Sequence, residues 1–324
     1  MPSKSDVMKP ESSTISAGSG FSSSRIARAF RGSLVWYGFV LPPLLLIMLF
    51  VGYPTVITFQ QSIFTETPDG PVFAGTYHFE RLFSSDVFWG AVINTALLGA
   101  AFLVIIIPLA TIFASMLNRL RRGATPLKVI YFLPQLTSSV AVAIMFNYVF
   151  QPDWGLLNGA LRAIGVSHPP LWLAEPRYTL TGSRAAVTLL AVWAGLGYFV
   201  IIVLAGLQSI PTDLYDAAAI DGATPLQSWW YITLPSLRPT FIFLIMTGTI
   251  DAMSRFADLW TLGGPGGAPA RSLQSIVMYM FQQGFESSDF SLSAATAVIF
   301  FVIVLAITGI AFWSFLRREF KAVR

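Results

Sequence analysis

Six long apolar runs, each closed by a short polar stretch, limit this chain more than any other feature. They occupy residues 36–59, 88–117, 129–150, 186–208, 240–262 and 292–316. A helix needs about 20 apolar residues to cross a bilayer core of roughly 30 Å. Inside that core every backbone N–H and C=O must be paired within the segment, so each run is predicted as a helix. The predicted fold is therefore all-α, an integral membrane protein of six spans. The second run is over-long for one crossing and is expected to tilt or to extend into water. Only 11% of residues are charged and 55% are hydrophobic, whereas about a quarter are charged in soluble domains. That balance excludes a soluble globular enzyme. With no cysteine there is neither a disulfide framework nor a thiolate metal site.

Residues 1–24 carry nine serines and no apolar period, so 1–34 reads as a disordered tail. The first run is longer than a signal-peptide core and no small-x-small cleavage site follows it, which makes it an uncleaved span. Lysine and arginine set the orientation. Fourteen of the 20 lie on one side: the N-terminal tail, the 118–128 loop (Arg119, Arg121, Arg122, Lys128), Arg238 and the C-terminus. Arg81, Arg162, Arg177, Arg184 and Arg271 lie on the other, and Arg255 falls within a span. The positive-inside rule then puts both termini and the 209–239 segment in the cytoplasm. The +4 net charge is juxtamembrane bias, not a nucleic-acid surface.

The segment 209–235, SIPTDLYDAAAIDGATPLQSWWYITLP, stands out between two apolar runs. Pro211 and Thr212 can start a helix, with Asp213 and Asp216 in its first turn, where the helix dipole favours acids. Ala217, Ala218 and Ala219 are strong helix formers. Gly222 can end the helix in a left-handed conformation. Thr224 and Pro225 read as the cap and first residue of a second helix, closed by Leu234 and Pro235.

Residues DAAAIDGA followed by ITLP, with nine residues between Gly222 and Ile232, resemble the EAA motif of the membrane subunits of ATP-binding-cassette importers, with Asp216 in place of the usual Glu. The resemblance implies that Tyr215, Asp216, Ala217, Ala218, Ala219, Asp221 and Gly222 form a coupling helix seated in a cleft of an ATPase subunit. Over about 35–320 the chain also resembles sugar-type permeases. FVGYPTVITFQQSI, DVFWGAVINT, VIYFLPQLTSSV, GLLN at 155–158 and LGGP at 262–265 resemble the first of the two permeases of a maltose/glycerol-phosphate-type importer. This implies a type I permease fold: a first span with its outside loop at 35–87, a permease core at 88–316 and a cytoplasmic tail at 317–324. The resemblance also implies an importer assembled with a second homologous permease, two ATPases and an extracytoplasmic substrate-binding protein, the last meeting Gly263, Gly264 and Pro265. It implies a carbohydrate, a polyol or a polyol phosphate as cargo.

No G-x-x-x-x-G-K-[ST] loop is present among the four lysines (Lys4, Lys9, Lys128, Lys321), so ATP and Mg would be bound by a partner and this chain would hold no cofactor. No H-E-x-x-H or G-x-S-x-G occurs, and His78 and His168 read as ordinary loop histidines. No catalytic residue or metal ligand is assigned. Asp251, Arg255 and Asp258 in the fifth run fall on one face of a continuous helix. Charges at that depth face a cavity or one another: either they line the substrate path, or Arg255 between two carboxylates is a structural ion pair. The family places an acidic or polar residue near position 255, so Arg255 departs from it and leaves open an anionic substrate. Gln135, Asn147, Trp193 and Tyr198 are path residues or, for the aromatics, members of the interfacial belt. Ala191, Ala194, Gly195 and Gly197 read as close helix-packing positions. An ion-gradient-driven secondary transporter or channel, with Asp251 and Asp258 carrying protons, is the alternative; it calls for repeated halves with broken spans.

Overall fold

The computed structural model describes residues 38–120, 124–174 and 182–322. The 1–34 tail and Arg121, Arg122, Arg177 and Arg324 lie outside them. Residues up to Val56 form one compact unit and Ile57–Arg324 a second. Helix α1 (Gly38–Gln61) is long and apolar enough to span, contains a π-turn at Met48–Gly52 and exposes Phe39 and Leu44–Val51. A short antiparallel hairpin, β1 (Phe64–Thr67) and β2 (Gly70–Phe73), pairs Phe64 with Phe73. After α2 (Tyr77–Phe83) comes α3 (Asp86–Arg119), 34 residues long. At 1.5 Å per residue its length is about 51 Å, well beyond the hydrocarbon core, as expected. Its start is capped by Ser85, which accepts from the Phe88 N–H at 3.3 Å.

Then follow α4 (Ala124–Phe132), α5 (Ser139–Val149), α6 (Leu156–Ala163) and α7 (Ser183–Gln208). The segment after α7 contains α8 (Asp213–Ile220) and α9, which starts as Pro225–Ser228 and runs on through a π-turn, Trp229–Thr233, into Leu234–Ser236. The chain continues through α10 (Arg238–Met253), α11 (Ala257–Gly263), α12 (Ile276–Phe281) and α13 (Phe290–Ala322).

Among the described residues four helices are long and apolar enough to span, and counting each of two bent pairs as one span makes six. The third and fifth expected spans are thus not straight. Between residues 126–136 and α5 the axis turns by 98°, and between α10 and α11 by 42°. The first bend follows from Pro134, which has no N–H and sits in a 3₁₀ turn, Leu133–Leu136; Thr137 beyond it is extended. Pro235, expected to close α9, is followed by one more residue of it, and the helix ends at Ser236. The π-turn just before it leaves a ladder position where its missing N–H costs little, and the Leu237 N–H reaches the Thr233 carbonyl at 3.1 Å. The C-terminal helix likewise runs beyond 316 to Ala322.

The core is built on α3 against α7, with α10 alongside: Phe102, Ile106, Ala110 and Ala114 meet Phe199, Val200 and Val203. Gly197 is the closest approach; a Cβ there would lie 2.0 Å from the Tyr131 carbonyl oxygen. A second cluster packs Leu82, Phe88 and Ala91 against Ile276, Tyr279 and Leu292. His78 is not a loop residue. It is buried on α2 and its Nε2 lies 2.9 Å from Thr65 Oγ1.

Candidate functional site

Helix α8 has Asp213 and Asp216 in its first turn and ends where the sequence predicts. Gly222 adopts φ +77°. The Gly222 N–H donates to the Ala219 carbonyl at 3.2 Å and the Ala223 N–H to Ala218 at 2.9 Å. That pair of bonds is a Schellman close. Thr224 then opens α9 with a capping box, its hydroxyl accepting from the Gln227 N–H while the Gln227 side chain accepts from the Thr224 N–H. The two helices are fastened by Tyr215, whose hydroxyl lies 2.9 Å from Thr233 Oγ1 and whose ring packs on the main core. Tyr215 and Ala218 therefore face inward, half-buried, whereas Asp216, Ala217, Ala219, Asp221 and Gly222 are exposed. Ile220, which the sequence reading did not single out, is 86% exposed beside them. The exposed residues of α8 and its close thus offer small side chains, three carboxylates and two large aliphatics, Leu214 and Ile220.

Both bends open on one cavity of about 380 Å³. The Pro134–Ser139 turn contributes Gln135, Thr137 and Ser139, α7 contributes Ala191, Ala194 and Gly195, and the α10–α11 break contributes Asp251, Ser254, Arg255 and Asp258. Irregular backbone at membrane depth is tolerated where it lines a cavity. A smaller cavity of about 190 Å³ shares Gln135, Gly195 and Asp251 with it and adds Tyr198 and Thr247. Ala191, Ala194 and Gly195 are thus cavity walls, and Ala191 and Gly195 are packing positions as well, as Gly197 is.

The three charges do not share one helix face. Asp251 lies on α10, Arg255 in the break and Asp258 on α11. Arg255 is hydrogen-bonded to one of the two carboxylates, Asp258. Its Nε donates to Asp258 Oδ2 at 3.0 Å, its Nη2 donates to the same oxygen and to the Val187 carbonyl on α7 at 3.1 Å. The pair is buried, with side chains 11% and 9% exposed. Arg255 Nη1 is buried with no partner among the described residues. Asp251 remains exposed to the cavity. The carbonyl freed at Arg255 by the break accepts from Ser275 Oγ at 3.1 Å. Asn147 and Trp193 stand apart from both cavities: Asn147 Oδ1 accepts from Gln151 Nε2 at 3.2 Å, and Trp193, 40% exposed, lies against Phe146.

The loop after α11 is tightly held rather than loose. Gly263 is buried, Gly264 has φ +63°, and the Pro265 carbonyl accepts from Gln282 Nε2. Asn94 Nδ2 donates to the carbonyls of Arg271 at 2.8 Å and Gln274 at 3.2 Å. Arg184 Nη2 donates to Asn94 Oδ1 at 2.5 Å. Arg184, counted in the sequence among loop charges, is buried in the first turn of α7. Its sequence signal is a lone basic residue two positions before an apolar run.

The family described as binding-protein-dependent transport system inner membrane component matches residues 106–320. The lactose transport system permease protein LacF of Rhizobium radiobacter is 32% identical over 279 residues, 86% of this chain and 91% of its own. The trehalose/maltose transport system permease protein MalF of Thermococcus litoralis is 32% identical over 288 residues, 86% and 92%. A crystal structure of a bacterial alginate ABC transporter, in complex with a periplasmic protein bound to an alginate pentasaccharide, contains a chain that superposes with a TM-score of 0.74. That chain is 25% identical, with 89% of this chain and 96% of that one covered.

Proposed function

The chain belongs to the family of binding-protein-dependent transport system inner membrane components, and we propose that the cargo it passes is a carbohydrate: a sugar, oligosaccharide, or related polyol or polyol phosphate. The relatives named for lactose and for trehalose and maltose support that class. One observation carries the path. Two bent spans break at the same polar cavity, where Gln135, Thr137, Ser139, Asp251 and Ser254 offer amide, hydroxyl and carboxylate groups to a polyhydroxylated molecule. Tyr198 adds a ring at its inner extension. The Arg255–Asp258 pair, tied to α7, fixes the break and holds Asp251 toward the cavity. Both readings of the charged cluster then apply, to different members.

In this account the chain is the transporting subunit, and ATP and Mg are bound and ATP hydrolysed by two partner ATPases. A second homologous permease completes the path, and an extracytoplasmic binding protein docks near Gly263, Gly264 and Pro265. Both termini and α8 lie in the cytoplasm, as the lysine and arginine bias implies. The core at 88–316 moves as the permease unit. Helix α8 presents Asp216, Ala217, Ala219 and Ile220 to an ATPase cleft. Its Gly222 turn and the Tyr215–Thr233 bond pass rigid-body movement into α9 and α10, and so to the α10–α11 break.

The test is affinity purification from the native membrane with mass spectrometry of the co-purifying subunits. A second permease and a P-loop ATPase in stoichiometric amounts are expected. A chain that purifies alone and transports in liposomes without ATP would transfer the function to the ion-gradient alternative, with Asp251 and Asp258 as proton carriers. Broken spans are common to both readings, so they do not decide between them.

A further inference from the structure

We propose that the groove between α3 and α9 binds one anionic glycerophospholipid, drawn from the leaflet on the side of the α8 helix. Ile112, Ser115, Met116 and Arg119 follow i, i+3, i+4, i+7 spacing and form one wall. Pro225, Leu226 and Trp229 form the other, enclosing about 480 Å³. Through Ile112 and Trp229 the groove joins an apolar cavity of about 300 Å³ that reaches Ile107, Pro108 and Phe241.

The polarity is one-ended. Arg119 stands exposed at the mouth. One turn inward, Ser115 Oγ is buried and has no hydrogen-bond partner among the described residues. Both can donate, and among the described residues no carboxylate or amide side chain lines either space; the one other hydroxyl, Thr111, donates to the Ile107 carbonyl at 2.7 Å. Phosphate and glycerol-ester oxygens are acceptors only, so a phospholipid headgroup complements this end. Its acyl chain complements the rest. From Arg119 to Ile107 is twelve residues of helix, about 18 Å along the axis, close to the half-thickness of roughly 15 Å of a hydrocarbon core. Basic pockets between membrane helices bind anionic headgroups in this way. The bound lipid would bridge α3 to the helix that follows the Gly222 turn, so its presence would set how firmly α9 moves with the bundle.

The experiment uses the whole transporter, extracted mildly and placed in lipid nanodiscs with or without phosphatidylglycerol. Retained lipid is counted by native mass spectrometry and ATP hydrolysis is followed in parallel. Wild type is expected to keep about one phosphatidylglycerol per copy of this chain. Arg119→Gln should retain roughly fivefold less, and Ser115→Leu, which fills the groove, should lose both the lipid and the stimulation by phosphatidylglycerol. Equal retention in wild type and both variants would overturn the proposal. So would a photo-crosslinker on Met116→Cys, a unique thiol in this cysteine-free chain, that labels a neighbouring subunit and no lipid.

Discussion

Gly222 and Gly197 are both glycines at conspicuous places, and the structure separates what each does. At Gly222 a Cβ would meet nothing within 4 Å, but φ is +77°. Replacement by alanine therefore carries backbone strain without steric clash. A left-handed residue with a Cβ costs about 1–2 kcal/mol, which lowers the population of the closed turn by a factor of roughly 5–30. Gly222→Ala should thus leave insertion and assembly intact and cut uptake by about tenfold, because the α8–α9 angle is no longer fixed when the ATPases close. Gly222→Val should add β-branched crowding and abolish uptake. At Gly197, by contrast, a Cβ would overlap the Tyr131 carbonyl, and Gly197→Ala should lower the yield of assembled complex. The assay is uptake normalised to assembled complex, with ATP hydrolysis measured beside it. Wild-type uptake in Gly222→Ala at full assembly would refute the argument that the left-handed turn couples the two helices.

The remaining expectations concern the charged cluster and the α8 fastening. Arg255→Met leaves the buried Asp258 carboxylate unpaired and should cost about 3–5 kcal/mol, read as a lowered unfolding temperature of the complex; the double change Arg255→Met, Asp258→Leu should recover most of it. Asp251→Asn, at a residue exposed to the cavity, should change stability by no more than about 0.5 kcal/mol while weakening uptake, seen as a raised half-saturation concentration. Tyr215→Phe removes one half-buried hydrogen bond, worth roughly 0.5–1.5 kcal/mol, and should reduce uptake per ATP hydrolysed without loss of assembly.

The positions of the apolar helices and the α8 close were legible because they depend on local rules. Twenty apolar residues imply a membrane helix, and an Asp–Gly after an alanine run implies a left-handed end. The bends were legible only in part. Pro134 stood in the sequence as a reason to break the third span, yet a bend of 98° requires the cavity that accepts the turn's free groups. Nothing in the sequence around Ser254–Phe256 is a helix breaker. That break exists because Arg255 reaches Asp258 and the Val187 carbonyl and because Ser275 takes up the freed backbone, contacts from segments about 70 and 20 residues away. Helical-wheel geometry consequently placed three charges on one face that the chain divides between two helices. Pro235 marked the end of α9 to within one residue, although the π-turn just before it had no sign in the sequence. The Arg184–Asn94 contact joins two spans 90 residues apart, a pairing that single-sequence reasoning has no means to see.

The central claim is ATP-driven, binding-protein-dependent passage through this subunit. Its most direct test is uptake of labelled oligosaccharide into proteoliposomes that hold the purified assembly, with ATP and binding protein each supplied or withheld. Accumulation that requires both, and that falls in Gly222→Ala and Asp251→Asn while assembly is unchanged, is the expected result. Accumulation that follows a proton or sodium gradient and is indifferent to ATP would contradict the account.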